Sequence, residues 1–116
     1  MARILIVDDE PDIRFIARMY FERAGYEVAE APNGAAALIA ILEMPPDLLV
    51  TDMMMPMMNG AELIRRLRAD PSTAGIPILA VTGDPSIAAE ADKVLEKGVP
   101  QADIVAAAAA LLNTGV

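Results

Sequence analysis

The sequence predicts a doubly wound α/β domain, and three observations carry that prediction. Short apolar runs rich in β-branched residues alternate with helix-like patterns along the chain, as in parallel βαβ units. The runs are continuously apolar, as expected of a sheet covered on both faces. The 116 residues, 55% of them hydrophobic, suffice for one core and one domain, taken as residues 1–116.

The elements follow in order. Arg3 to Val7 (RILIV) reads as the first strand and ends at Asp8-Asp9-Glu10-Pro11, where proline suits a first helical turn. That helix runs to Ala24, and Gly25 supplies the left-handed residue that commonly closes one. Tyr26 to Glu30 alternates as a second strand, and Asn33-Gly34 opens the next helix. After Pro45-Pro46, Asp47 to Thr51 reads as the third strand. Asn59 with Glu62 resembles a capping box before the helix ELIRRLRAD. Pro77 to Val81 and Lys93 to Glu96 read as strands four and five, and Ala102 to Asn113 as an alanine-rich closing helix. On the first helix, Ile13, Ile16, Ala17, Tyr20 and Ala24 are expected to face inward. Phe15 and Met19 are left outside near Arg18 and Glu22; such exposed apolar residues are either ordinary surface or a protein contact.

Composition removes several functions. A formal charge of −8 repels phosphate backbones, so no nucleic-acid partner is expected. The chain has no cysteine and no histidine, so chemistry falls to carboxylates, hydroxyls and lysine. The apolar stretches at the amino terminus and at Ile104 to Leu112 are too short for a signal peptide or a bilayer span, and a cytoplasmic protein without membrane contact is expected.

In a sheet of this kind the functional crevice lies beyond the carboxyl ends of the strands. The residues expected there are Asp8, Asp9, Asp52, Thr82 and Lys97. Clustered carboxylates call for a cation, and oxygen ligands without His or Cys favour magnesium. Asp52 could then act as a nucleophile that accepts a phosphoryl group, with Lys97 supplying positive charge and Thr82 a hydrogen bond. Each residue also has a plainer role: Asp8, Asp9 and Glu10 as acids at a helix start, Thr82 as a turn cap, Lys97 as a solvated lysine. For the methionines after Asp52, packing is the expected role, with Met57 and Met58 shielding the site from water.

The set resembles the receiver domain of two-component response regulators. It has the acidic pair Asp8-Asp9, the D-x-x-M-P-x-x-x-G pattern from Asp52 to Gly60, Thr82 after strand four and Lys97 after strand five. The resemblance covers essentially the whole chain. It implies a flavodoxin-like sheet of order 2-1-3-4-5, with Asp52 as phosphoacceptor for a histidine kinase or histidine phosphotransfer protein. It implies Mg2+ held by Asp9, Asp52 and the backbone carbonyl of Met54, with Asp8 acting directly or through water. Phe15 and Met19 would touch the kinase, and a downstream protein target would read the signal. By the same resemblance the protein is no enzyme, but a phosphoacceptor that assists its own phosphorylation and dephosphorylation.

Three departures stand out. The stretch from Gly83 to Glu96 leaves a short crossover before strand five, so the fourth helix is expected to be short or absent and residues 83–92 mobile. Gly98 follows the lysine where the family usually has proline, and Val94 occupies the place of the usual aromatic switch. The short crossover and Gly98 favour a competing reading, a degenerate receiver that binds proteins without phosphorylation, which the intact Asp8, Asp9, Asp52, Thr82 and Lys97 set opposes. A small hydrolase is weaker, because Met54 occupies the position of the general acid it would need.

Overall fold

Five strands, β1 (Arg3–Val7), β2 (Glu27–Ala31), β3 (Leu48–Asp52), β4 (Ile78–Thr82) and β5 (Lys93–Glu96), lie parallel in one sheet of order β2-β1-β3-β4-β5. Helices α1 (Pro11–Arg23), α2 (Gly34–Glu43), α3 (Gly60–Ala69) and α4 (Gln101–Asn113) cover its two faces. This computed structural model describes residues 1–88 and 90–113. The doubly wound architecture and the strand order are those expected from the sequence.

The helix ends follow local chemistry. Pro11 begins α1, and Gly25, at φ +97°, turns the chain out of it. Asn33 and Asn59 cap α2 and α3 by accepting the amides of Ala36 and Glu62. Only half of the expected capping box forms, because the Glu62 carboxylate turns to Arg65 and Arg66. Strands β2, β3 and β4 each lie one residue later than the sequence suggests. The ladder sets those ends: Ala31 pairs with Val7, Asp52 with Val81 and Thr82 with Glu96. Asp52 and Thr82 therefore close their strands and do not follow them.

The core has two layers. On one face Leu49, Ile78 and Ala80 meet Ile41 of α2 and Leu63, Ile64 and Leu67 of α3. On the other, Ile4, Ile6, Val50 and Leu79 meet Ala17 and Phe21 of α1 and Ile104 and Ala108 of α4. Each large side chain so buried contributes about 1.5–3 kcal/mol. The inward seam of α1 differs from the expected one. Ala17 and Phe21 are buried, whereas Ile16, Tyr20 and Ala24 are exposed with Phe15 and Met19. Phe21 is the anchor, wholly buried with its ring edge-on to Tyr26 at 6.0 Å. Arg14 and Arg18 reach Glu30 of β2 and hold the helix in that rotation.

The connection from β4 to β5 carries one 3-10 turn, Pro85–Ile87, so the fourth crossover helix is reduced to a single short turn. The expectation for residues 83–92 includes position 89, and the span 1–116 includes 114–116, which lie outside the described residues. Arg68 of α3 spans this region. Its guanidinium donates to the carbonyls of Ala74 (2.7 Å), Ile76 (2.8 Å) and Glu90 (3.3 Å) and to Asp92 Oδ2 (2.8 Å). Asp92 Oδ2 also accepts the amide of Ile78 at 2.7 Å, pinning the end of the crossover to the start of β4. Among the described residues, no helix is long and apolar enough to cross a membrane.

Candidate functional site

Strand register gathers the expected residues at one edge of the sheet. Val7 pairs with Thr51, so Asp8 and Asp52, one residue on, are neighbours. Thr82 pairs with Glu96, and the Lys97 amide donates to the Thr82 carbonyl at 3.0 Å. The structure thus brings Asp8, Asp52, Thr82 and Lys97 together from four strands.

Asp52 is 3% exposed, and both of its carboxylate oxygens accept hydrogen bonds. Its Oδ1 accepts the amides of Met53 (2.7 Å) and Met54 (3.2 Å), and its Oδ2 accepts Lys97 Nζ at 2.9 Å. Burial works against the Lys97 ammonium. The hydrogen bond and charge of Asp52, with Asp8 and Glu10 behind it, outweigh burial and raise the Lys97 pKa above its ordinary value. The lysine is thus held charged against the carboxylate.

Asp8 is buried, and its Oδ1 accepts the Glu10 amide at 2.9 Å. Burial pushes its pKa up, and the charges of Asp52 and Asp9 add to that, against the Glu10 hydrogen bond and Lys97. Asp9 and Glu10 are exposed beside it, and carboxylate oxygens of Asp8, Asp9 and Glu10 lie within 4.8 Å of one another. Glu10 is a member of the cluster that sequence reasoning assigned only to the helix start. Its signal was its place two residues after Asp8, just before Pro11. The donors are all hard oxygens, and a cation would relieve the cost of a buried, charged Asp8. The residues fit a divalent ion such as magnesium.

Thr82 is wholly buried, and its Oγ1 accepts the Asp84 amide at 3.2 Å. Asp84 in turn caps the short turn by accepting the Ser86 amide (3.1 Å) and hydroxyl (2.6 Å). Glycine at position 60 is a steric necessity: a Cβ there would stand 2.4 Å from the Asp52 carbonyl oxygen and 2.7 Å from Met53 Cα. Met53 and Met55 are core residues, as expected. Met57 is not a shield, for it is 84% exposed at φ +67°; Met58 packs against the core. Val94 is half-buried against the α2 and α3 side of the core, and Gly98 sits at φ +98°, a conformation that favours glycine.

Beside the site lies a cleft of about 190 Å3 between α1, the sheet and the start of α4. Asp8, Asp52 and Lys97 stand at its polar end and Ile13, Ile16 and Ile104 on its walls. On the outer face of α1, Phe15 is 60% exposed, and Met19, Ile16 and Tyr20 are exposed with it.

A family model described as the response regulator receiver domain matches residues 4–109. The chain is 40% identical over 82 residues to the DNA-binding dual master transcriptional regulator RpaA of Synechocystis, covering 71% of this chain and 34% of that protein. It thus spans about a third of that relative's length. It is 37% identical over 97 residues to protein PilH of Pseudomonas aeruginosa, covering 84% of this chain and 78% of PilH. The fold superposes with a TM-score of 0.87 on response regulator protein TrrA of Thermotoga maritima, crystallised in complex with Mg2+ and BeF. The identity there is 28%, covering 96% of this chain and 99% of TrrA.

Proposed function

Because the chain belongs to the response regulator receiver domain family, we propose that it accepts a phosphoryl group on Asp52 from a sensor histidine kinase or histidine phosphotransfer protein. The observation that carries this reading is the bonding of Asp52, with two backbone amides on Oδ1 and the Lys97 ammonium at 2.9 Å from Oδ2. A carboxylate oxygen forms the new O–P bond as the N–P bond to the donor imidazole breaks, its electron pair leaving with the ring nitrogen. Lys97 then meets the charge on the phosphoryl oxygens, and the Thr82 hydroxyl, which otherwise donates to the Asp84 carbonyl at 3.5 Å, turns its proton to a phosphoryl oxygen while still accepting the Asp84 amide.

Asp8, Asp9, Asp52 and the Met54 backbone carbonyl would hold Mg2+, with Glu10 beside them. Bound there, the ion supplies Lewis-acid neutralisation of the transferring group. The protein lends these groups to its own phosphorylation and dephosphorylation and is a stoichiometric acceptor, not an enzyme. Phe15 and Met19, flanked by Ile16 and Tyr20, form the kinase-docking patch on α1. The phosphorylated form signals to a downstream protein target in the cytoplasm, without nucleic-acid contact.

The test is intact mass after incubation with acetyl phosphate and Mg2+. A magnesium-dependent gain of about 80 Da, one phosphoryl group, is expected in the wild type and not in Asp52→Ala. No gain would favour the phosphorylation-independent interaction module, for which Gly98 and the single-turn crossover speak. Phe15→Ala should slow transfer from the kinase and leave acetyl phosphate labelling unchanged; equal kinase rates would remove the α1 patch from the reading.

A further inference from the structure

Arg14 of α1 makes two bonds that serve different parts of the molecule. Its Nε donates to Glu30 Oε1 at 3.2 Å, and its Nη1 donates to the main-chain carbonyl of Asp8 at 2.6 Å. Arg18 shares the first kind of bond, with its Nη1 2.8 Å from the other Glu30 oxygen, but its remaining partner is Glu22 on its own helix. The Arg14 side chain is also the more sheltered of the two, 16% exposed against 39%. A guanidinium on a carbonyl makes a charge-assisted bond, about twice as strong as a neutral one. The carbonyl in question belongs to the peptide that joins Asp8 to Asp9. Bonded there, Arg14 fixes the plane of that peptide and the angle at which Asp9 leaves β1. Asp8 is held at two further atoms, its amide donating to the Ala31 carbonyl at 3.2 Å and its Oδ1 accepting the Glu10 amide at 2.9 Å. Carboxylates so close repel one another, and a loop free to move would splay them apart.

We propose that Arg14 is a positioning residue for the cation site: it holds the Asp8-Asp9 peptide in the geometry that receives a divalent ion, while Glu30 orients the guanidinium from β2. The assignment rests on the reading of Asp8, Asp9 and Asp52 as a Mg2+ site. Glu30 also meets the charge of Arg14, so the guanidinium orders the acids without neutralising them. The sign of its effect separates position from charge. Removing a positive charge near carboxylates strengthens their hold on a cation by Coulomb's law. Removing a partner that orders them weakens it.

The experiment titrates Mg2+ into the full chain, as wild type, Arg14→Met and Arg18→Met, and follows amide spectra. Arg18→Met breaks a Glu30 ion pair of the same helix and leaves the Asp8 carbonyl bonded, so it controls for a merely structural role. Arg14→Met, or Arg14→Gln if the first does not fold, should bind Mg2+ about tenfold more weakly, and Arg18→Met as tightly as the wild type. Without metal, the Asp9 amide nitrogen, attached to the carbonyl carbon that Arg14 holds, should shift in Arg14→Met and not in Arg18→Met. Affinity unchanged or raised in Arg14→Met, equal weakening in both variants, or an unmoved Asp9 nitrogen overturns the assignment. Acetyl phosphate labelling of Arg14→Met should be slow at low Mg2+ and recover at saturating Mg2+. A rate that stays slow at saturation would place Arg14 in phosphoryl transfer and overturn its role toward the cation. No Mg2+ binding by the wild type removes the cation reading and the assignment with it, whereas a wild type that binds Mg2+ and fails to label counts against the phosphoacceptor reading alone.

Discussion

The two crossovers that flank β4 do the same job by different means. Between β3 and β4, α3 lays Leu63, Ile64 and Leu67 into the core, all of them buried. Between β4 and β5, one turn at Pro85–Ile87 buries none of its own residues, and Ala88 is the buried side chain that follows it. The second crossover is instead tied down by polar bonds, chiefly those of Arg68 to Glu90 and Asp92 and that of the Ile78 amide to Asp92. Asp52 stands at the start of the first crossover and Thr82 and Lys97 at the two ends of the second. Asp52 is thus placed chiefly by packing, and Thr82 and Lys97 chiefly by hydrogen bonds. Packing is non-directional and robust; a hydrogen-bonded clamp can be undone by changing one side chain.

Truncation should show the contrast most strongly. Leu63 is wholly buried, so Leu63→Ala is expected to cost about 4 kcal/mol in urea unfolding, whereas half-buried Ile87 should cost about 1 kcal/mol or less as Ile87→Ala. Equal costs would break the comparison, showing the second crossover to be packed as deeply as the first. Gly60→Ala should follow, at about 3 kcal/mol. The new methyl would press on backbone atoms of Asp52 and Met53 that cannot yield, so the penalty should also appear as a slower rate of acetyl phosphate labelling. A full labelling rate would mean that Asp52 is not held by this loop.

Next in size is Arg68→Met, which keeps the stem and removes the guanidinium. It leaves the carbonyls of Ala74, Ile76 and Glu90 and the Asp92 carboxylate without that donor. The cost should be about 2 kcal/mol. Amide exchange should rise at Glu90 to Asp92 and at Ile78 and not in α3. Uniform exchange across the domain would show that Arg68 serves global stability and not the second crossover.

The sequence made one of these regions far more legible than the other. Everything local could be read: the apolar runs, Gly25, the caps at Asn33 and Asn59, and the order of Asp8, Asp52, Thr82 and Lys97. Strand ends were displaced by one residue because pairing with a neighbour, as of Asp52 with Val81, is not written in periodicity. The seam of α1 was misread because spacing admits several faces. The choice of Phe21 over Tyr20 is made by Tyr26 and Glu30 on the adjoining segment. The clamp of Arg68 on Asp92 joins residues 24 apart, and nothing in a helix reading ELIRRLRAD distinguishes that arginine from its neighbours.

The smallest effect expected belongs to the packed half of the site and concerns its one buried acid with a raised pKa. An acid whose folded pKa lies above its ordinary value binds its proton more tightly when folded. For Asp8 that contribution is complete below its ordinary value of 3.8 and is lost as pH rises through the raised folded pKa. At neutral pH, ionised Asp8 therefore costs stability in the absence of a cation. Asp8→Asn removes the charge and keeps an oxygen for the Glu10 amide. Without metal the variant should melt higher than the wild type at neutral pH, by about 3 °C, and the two should converge as pH falls towards 3.8. Added Mg2+ should raise the wild type more than the variant and narrow the gap. Equal melting at every pH would show that Asp8 is solvated like any surface carboxylate, and the packed half of the site would then carry no electrostatic strain for a cation to relieve.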